Sequence, residues 1–152
     1  MTWFSYLALT FSMAVFLLAW LKGGRPERLG ALLISTAYIL AAVAPPVRVY
    51  GDLLLFDAVA DVALLAIFLW MSLTGDRWWP FLAAAAMFLT DVVHAAMTLI
   101  PELDTRADLS ARLGLTLLSV LALLAGVGER WLAGERPPGL PWKPWRATPH
   151  RT

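Results

Sequence analysis

Apolar residues fall into five long runs set apart by short polar breaks: Trp3–Leu21, Leu29–Ala44, Leu53–Leu73, Phe81–Ile100 and Leu113–Gly128. A helix needs about 20 predominantly apolar residues to cross the hydrocarbon core of a bilayer. The runs match or approach that length, and the pattern predicts an all-α integral membrane bundle of five transmembrane helices. Pro45-Pro46 should end or kink the second helix, because proline lacks a backbone donor and disfavours helix in the residue before it. Asp52 is placed to cap the third helix and Asp76 to cap the turn into the fourth. In PELDTRADLSAR, Asp104 or Asp108 is the expected cap of a fifth helix that begins before the membrane.

Composition strengthens this reading. The chain is 60% hydrophobic and 15% charged, with a mean hydropathy of +0.70, whereas soluble domains sit near 45–50% and about 25%. The expected organisation is one bundle over residues 1–128 and a tail over 129–152. The tail sequence ERPPGLPWKPWRATPHRT, rich in proline and tryptophan, suits an extended segment on a membrane surface or a partner. His150 there reads as solvated. The chain has no cysteine, which excludes thiol redox chemistry, disulfides and thiolate metal sites. The opening stretch lacks the basic start and small-residue cleavage site of a signal peptide, so the first span is expected to persist. The net charge of +1, scattered through loops, points to no nucleic-acid partner.

Charge sets the expected orientation. With the N-terminus outside and the C-terminus cytoplasmic, the inner segments hold Lys22, Arg25, Arg28, Arg77, Arg130, Arg136, Lys143, Arg146 and Arg151. The outer segments hold only Arg48, Arg106 and Arg112. That bias satisfies the positive-inside rule. Trp3, Trp20, Trp70, Trp78, Trp79 and Trp131 fall near predicted span ends and are expected to anchor at the interface, joined by Trp142 and Trp145 in the tail. Gly23-Gly24 reads as a turn. Small residues recur along the spans, among them Ala8, Ser12 and Ala19 in the first and Ser119, Ala122 and Gly126 in the fifth. Such faces allow helix backbones to approach closely.

Against this apolar background four residues stand out: Asp57 and Asp61 in the third span, Asp91 and His94 in the fourth. Spacings of four and three place each pair on one helix face. At 1.5 Å per residue, Asp57 and Asp61 lie about 6 and 12 Å inside the outer end of their span, and His94 and Asp91 about 9 and 13 Å inside theirs. A short connection, Thr74–Pro80, makes the two helices antiparallel neighbours, so the polar faces are expected to meet. Uncompensated carboxylates are too costly at such a site. Retained protons, an arginine reaching in from the outer rim (Arg48 or Arg112), or a bound cation would answer that cost.

The Asp57-x-x-x-Asp61 spacing opposite Asp91 and His94 resembles the transport site of cation diffusion facilitators, in which two residues four apart on each of two helices form a tetrahedral zinc site. The resemblance implies a divalent cation held by Asp57, Asp61, Asp91 and His94. Here Asp91 and His94 are three apart. The stretch DRWWPFLAAAAMFLTDVVHAAMTL resembles one found in small, uncharacterised multi-span bacterial inner-membrane proteins, which implies a multi-pass protein of that membrane and no activity. His94 beside Ala95 and Ala96 raises the question of a haem or chlorin ligand, which the nearby Asp91 and the lack of a second membrane histidine disfavour.

The leading functional expectation is a small accessory or assembly subunit of a larger membrane complex. It would be surrounded by lipid and by other subunits or copies of itself, and carry no resident cofactor. The alternative is an oligomeric proton or divalent-cation transporter or channel working through the Asp/His cluster. A third class is a metal-dependent membrane enzyme. No nucleophile with a flanking base marks a catalytic residue.

Overall fold

The computed structural model describes residues 3–43, 55–100 and 105–135. They form five helices, α1 (Trp3–Lys22), α2 (Arg25–Val43), α3 (Leu55–Thr74), α4 (Trp79–Leu99) and α5 (Thr105–Leu132), with no strand among the described residues. All five are long and apolar enough to cross a membrane. Pro45-Pro46, Arg48, Asp52, Asp104 and the tail from residue 136, with Trp142, Trp145 and His150, lie outside the described residues.

Two helix starts differ from the expected spans. α2 begins at Arg25, four residues before its apolar run, and α5 begins at Thr105 and continues through Leu132. In α2 the cause is local: Gly24 stands before the first turn, Pro26 lies within it, and Glu27 at the third helical position accepts the Gly24 N–H at 2.7 Å. That is the return half of a capping box. Proline is tolerated in a first turn because its missing N–H would have had no helical partner there. Asp76 does not cap α4. That helix starts after Trp78 without a side-chain capping bond and has a proline in its first turn. Asp108 lies inside α5 and not at its start.

Neighbours in sequence are neighbours in space, and α5 also packs on α1, so the five helices close into a ring. α2 meets α5 across the middle. The small residues mark the close contacts. Ala8, Ser12 and Ala19 of α1 and Ser119 and Ala122 of α5 are buried. Ser12 returns its hydroxyl to the Ala8 carbonyl at 2.8 Å and lies 3.3 Å from the Tyr38 hydroxyl of α2. The core is filled by Val15, Phe16, Ile34, Phe68, Trp79, Met87, Val120 and Leu123, among others. Large apolar side chains on every helix face outward, including Leu17, Leu32, Leu69, Phe88 and Leu121. This inside-out distribution is what helices surrounded by hydrocarbon require, since lipid offers no penalty to an outward leucine.

Trp79 departs from the expected interfacial role. It is wholly buried, while Trp78 and Trp131 are exposed. Its ring meets the edge of Phe68 with centroids 5.9 Å apart and planes at 70°, an edge-to-face packing favoured by the ring quadrupoles. It fits only because two helices present no side chain to it. A Cβ built at Gly30 of α2 or at Gly126 of α5 would overlap the indole.

Candidate functional site

The expected polar cluster forms between α3 and α4, and α5 completes it. His94 Nε2 lies 3.1 Å from Asp61 Oδ2. Which atom donates there is set by the imidazole tautomer and the protonation of the carboxyl. Arg112 of α5 places Nη2 3.0 Å from Asp57 Oδ2 and 4.0 Å from Asp61 Oδ2. Asp57 sits in the first turn of α3, where the helix dipole favours a negative charge. The arginine is thus the rim cation anticipated for this site. Thr98 and Thr116 return their hydroxyls to the His94 and Arg112 carbonyls at 2.9 and 2.8 Å, which keeps them off the cluster.

Asp91, one turn from His94 on α4, belongs to the same neighbourhood, since Asp61 and His94 are the charged groups that act on it. Its Oδ2 is buried and makes no hydrogen bond. Among the described residues, no three histidine, aspartate or glutamate side chains converge as metal ligands. The positive charge beside Asp57 and Asp61 is the Arg112 guanidinium.

A second polar network, not anticipated from the sequence, occupies the other end of the bundle. Glu27 of α2 is completely buried. One oxygen accepts the Gly24 N–H and lies 3.8 Å from Arg130 Nη1 of α5; the other accepts the Trp79 indole N–H at 3.2 Å. Arg130 reaches onward to Glu135 at 3.3 Å. Arg77, in the α3–α4 turn, donates to both oxygens of Glu135 and stands 3.5 Å from Glu129. The available signal was a glutamate three residues into a helix that follows Gly-Gly, with a glycine-bearing face opposite a tryptophan.

Glu135 lies beyond the last apolar turn of α5. The Arg77 hydrogen bond, joined by the charges of Arg77 and Arg130, holds its carboxyl below the usual glutamate range, and the same bond holds Arg77 above its ordinary value. A depressed carboxyl contributes stability that is fully present above its unfolded value, about pH 4.3, and lost as pH falls through the lower folded value. The protection factors of amides 129–135, corrected for intrinsic exchange, are therefore expected to fall on acidification below about pH 4. Arg77→Gln should lower the neutral-pH protection factors to the acid level and flatten the dependence.

The fold and the two networks define a class, a five-helix bundle whose helices are tied together by buried and half-buried charged groups at both ends. No family model, no curated protein and no solved structure matches the chain.

Proposed function

We propose that the chain is a small accessory or assembly subunit of a bacterial inner-membrane complex, crossing the bilayer five times with the Glu27 end cytoplasmic. One observation carries this reading. Buried and half-buried charged groups join different helices to one another, α2 to α4 and α5 through the buried Glu27, and α3 to α4 and α5 through the half-buried Asp61 and Asp57. Groups engaged in this way hold a shape, and a rigid bundle with an apolar exterior is suited to docking beside other membrane helices. The orientation draws support from Lys22, Arg25, Arg28, Arg77 and Arg130, which share the Glu27 end, against Arg112 near the other. Purification in mild detergent, with identification of every co-eluting chain, tests the proposal. Partners at fixed stoichiometry are the expected result, with Asp61→Asn lowering the assembled fraction. A lone homo-oligomer would overturn it.

The unpartnered Asp91 oxygen favours a second reading, proton handling. Arg112 reaches two carboxylates, Asp57 and Asp61, and Asp91 stands beside Asp61 and His94, so a proton on Asp91 with another on His94 would bring the group to neutrality. A site that reaches neutrality by binding protons in low dielectric is how intramembrane carboxylates relay them. On this reading Asp61→Asn abolishes proton flux in proteoliposomes and leaves the purified protein intact.

A further inference from the structure

A groove of about 250 Å³ opens at the Glu27 end, between the first turns of α2, the last turn of α3 and the α3–α4 turn. Its wall is apolar, built by Leu29, Trp70, Met71 and Pro80. Leu29 and Trp70 are also exposed on the outside of the bundle, so the groove is continuous with the apolar exterior. Three charged residues line it: Arg25, Asp76 and Arg77. Arg77 is engaged by Glu129 and Glu135. Arg25 and Asp76 are both exposed, and neither forms an ion pair or side-chain hydrogen bond among the described residues, with each other or with a third group.

An apolar slot that bears one unpaired cation and one unpaired anion matches a particular ligand chemistry. An acyl chain fits the wall, a phosphate fits Arg25, and a primary ammonium fits Asp76. We propose that this groove binds a zwitterionic phospholipid with a primary-amine headgroup, of the phosphatidylethanolamine type, its phosphate on Arg25 and its ammonium on Asp76. A purely anionic headgroup would satisfy Arg25 and be repelled by Asp76. A choline headgroup carries the same charges and has no N–H to donate to a carboxylate, so it forgoes the charge-assisted hydrogen bond. The bound lipid would seal the α2–α3 seam where both helices end. The inference rests on the membrane reading above and is independent of which complex the chain serves.

Native mass spectrometry of the protein released from nanodiscs of equimolar phosphatidylethanolamine, phosphatidylcholine and phosphatidylglycerol tests it. Retention of the ethanolamine lipid is expected to exceed that of the choline lipid by about fivefold, the size of one net hydrogen bond of about 1 kcal/mol. Asp76→Asn should remove that preference and leave total phospholipid retention standing. Arg25→Gln should lower retention of all three, and inorganic phosphate added at the release step should leave the pattern unchanged. Both side chains are exposed, so unchanged elution and helicity of the variants show that the fold is intact. Equal retention of the three lipids, preference for phosphatidylglycerol, or an Asp76→Asn protein that keeps its preference would each overturn the assignment. A chain that fails to enter nanodiscs at all would instead sink the membrane reading.

Discussion

Replacing Glu27 by alanine is expected to cost the bundle about 3–5 kcal/mol, the range for breaking a buried charged pair by removing one partner. The reason lies in what is left behind. Glu27 is completely buried and satisfies the Gly24 N–H, the Trp79 indole N–H and the Arg130 guanidinium. After truncation two N–H donors have no acceptor, and a guanidinium that is mostly shielded from solvent loses one of its two carboxylates. An unsatisfied buried donor costs about 1–3 kcal/mol by itself. Glu27→Gln keeps one acceptor oxygen, so it should fall between wild type and alanine. Thermal unfolding in detergent reads the series, and the double variant Glu27→Ala, Arg130→Ala should be less destabilised than the two singles added together. Wild-type stability in Glu27→Ala would show that the network carries no weight.

This end of the bundle was also the part least legible in the sequence. Glu27 lies within RPER, a charged run at the edge of an apolar segment, and such a run most often marks a solvated loop. Trp79 follows Trp78 at a span end, where the interfacial belt is the general rule. Both rules describe averages over surfaces. What overrode them is tertiary: Gly30 and Gly126 leave a slot the size of an indole, and the indole N–H inside the bundle needs an acceptor, which Glu27 supplies. No pattern along one helix shows that two glycines on different helices face the same ring.

The opposite end was legible because segments apolar enough to cross a membrane contain so few charges. Asp57, Asp61, Asp91 and His94 stand out from their surroundings, and a short α3–α4 connection fixes which helices face each other. Matching the heights of the two pairs was enough to predict that the polar faces meet, though not that Asp61 would pair with His94. The helix limits were legible to within two residues where the apolar run ends at a turn, as at α1 and α4. They were missed at the start of α2 and the far end of α5, where helix continues through residues that are polar but paired, Glu27 in one and Glu129 and Arg130 in the other. The early start of α5 at Thr105 agrees with a helix expected to begin before the membrane. Arg112 could be named as a rim cation, but not the rigidity with which its helix holds it against Asp57 and Asp61.

That rigidity makes Arg112 the residue on which the Asp cluster depends. Its guanidinium reaches two carboxylates, Asp57 at 3.0 Å and Asp61 at 4.0 Å, from a helix that touches α4 directly. Arg112→Leu leaves Asp57 and Asp61 without their guanidinium, and His94 beside Asp61 and Asp91 is the group left to offset them. The expected loss is about 3 kcal/mol, the lower part of the buried-pair range because the side chains retain some exposure. By comparison, His94→Gln keeps an N–H that can reach the Asp61 carboxylate, on a more flexible side chain, and should cost about 1–2 kcal/mol. Arg112→Lys keeps the charge and loses the planar fork, so it can serve Asp57 or Asp61 but not both well, and should fall between. The sharper test is compensation. If the cost of Arg112→Leu is the stranded carboxylate, adding Asp57→Leu should recover much of it, because replacing both members of a buried pair with apolar groups is often neutral. Recovery measured by unfolding in detergent would locate the effect in the Asp57–Arg112 pair. A double variant as unstable as the sum of the singles would place it in helix packing around α5 instead, and the cluster would then be a consequence of the fold rather than one of its determinants.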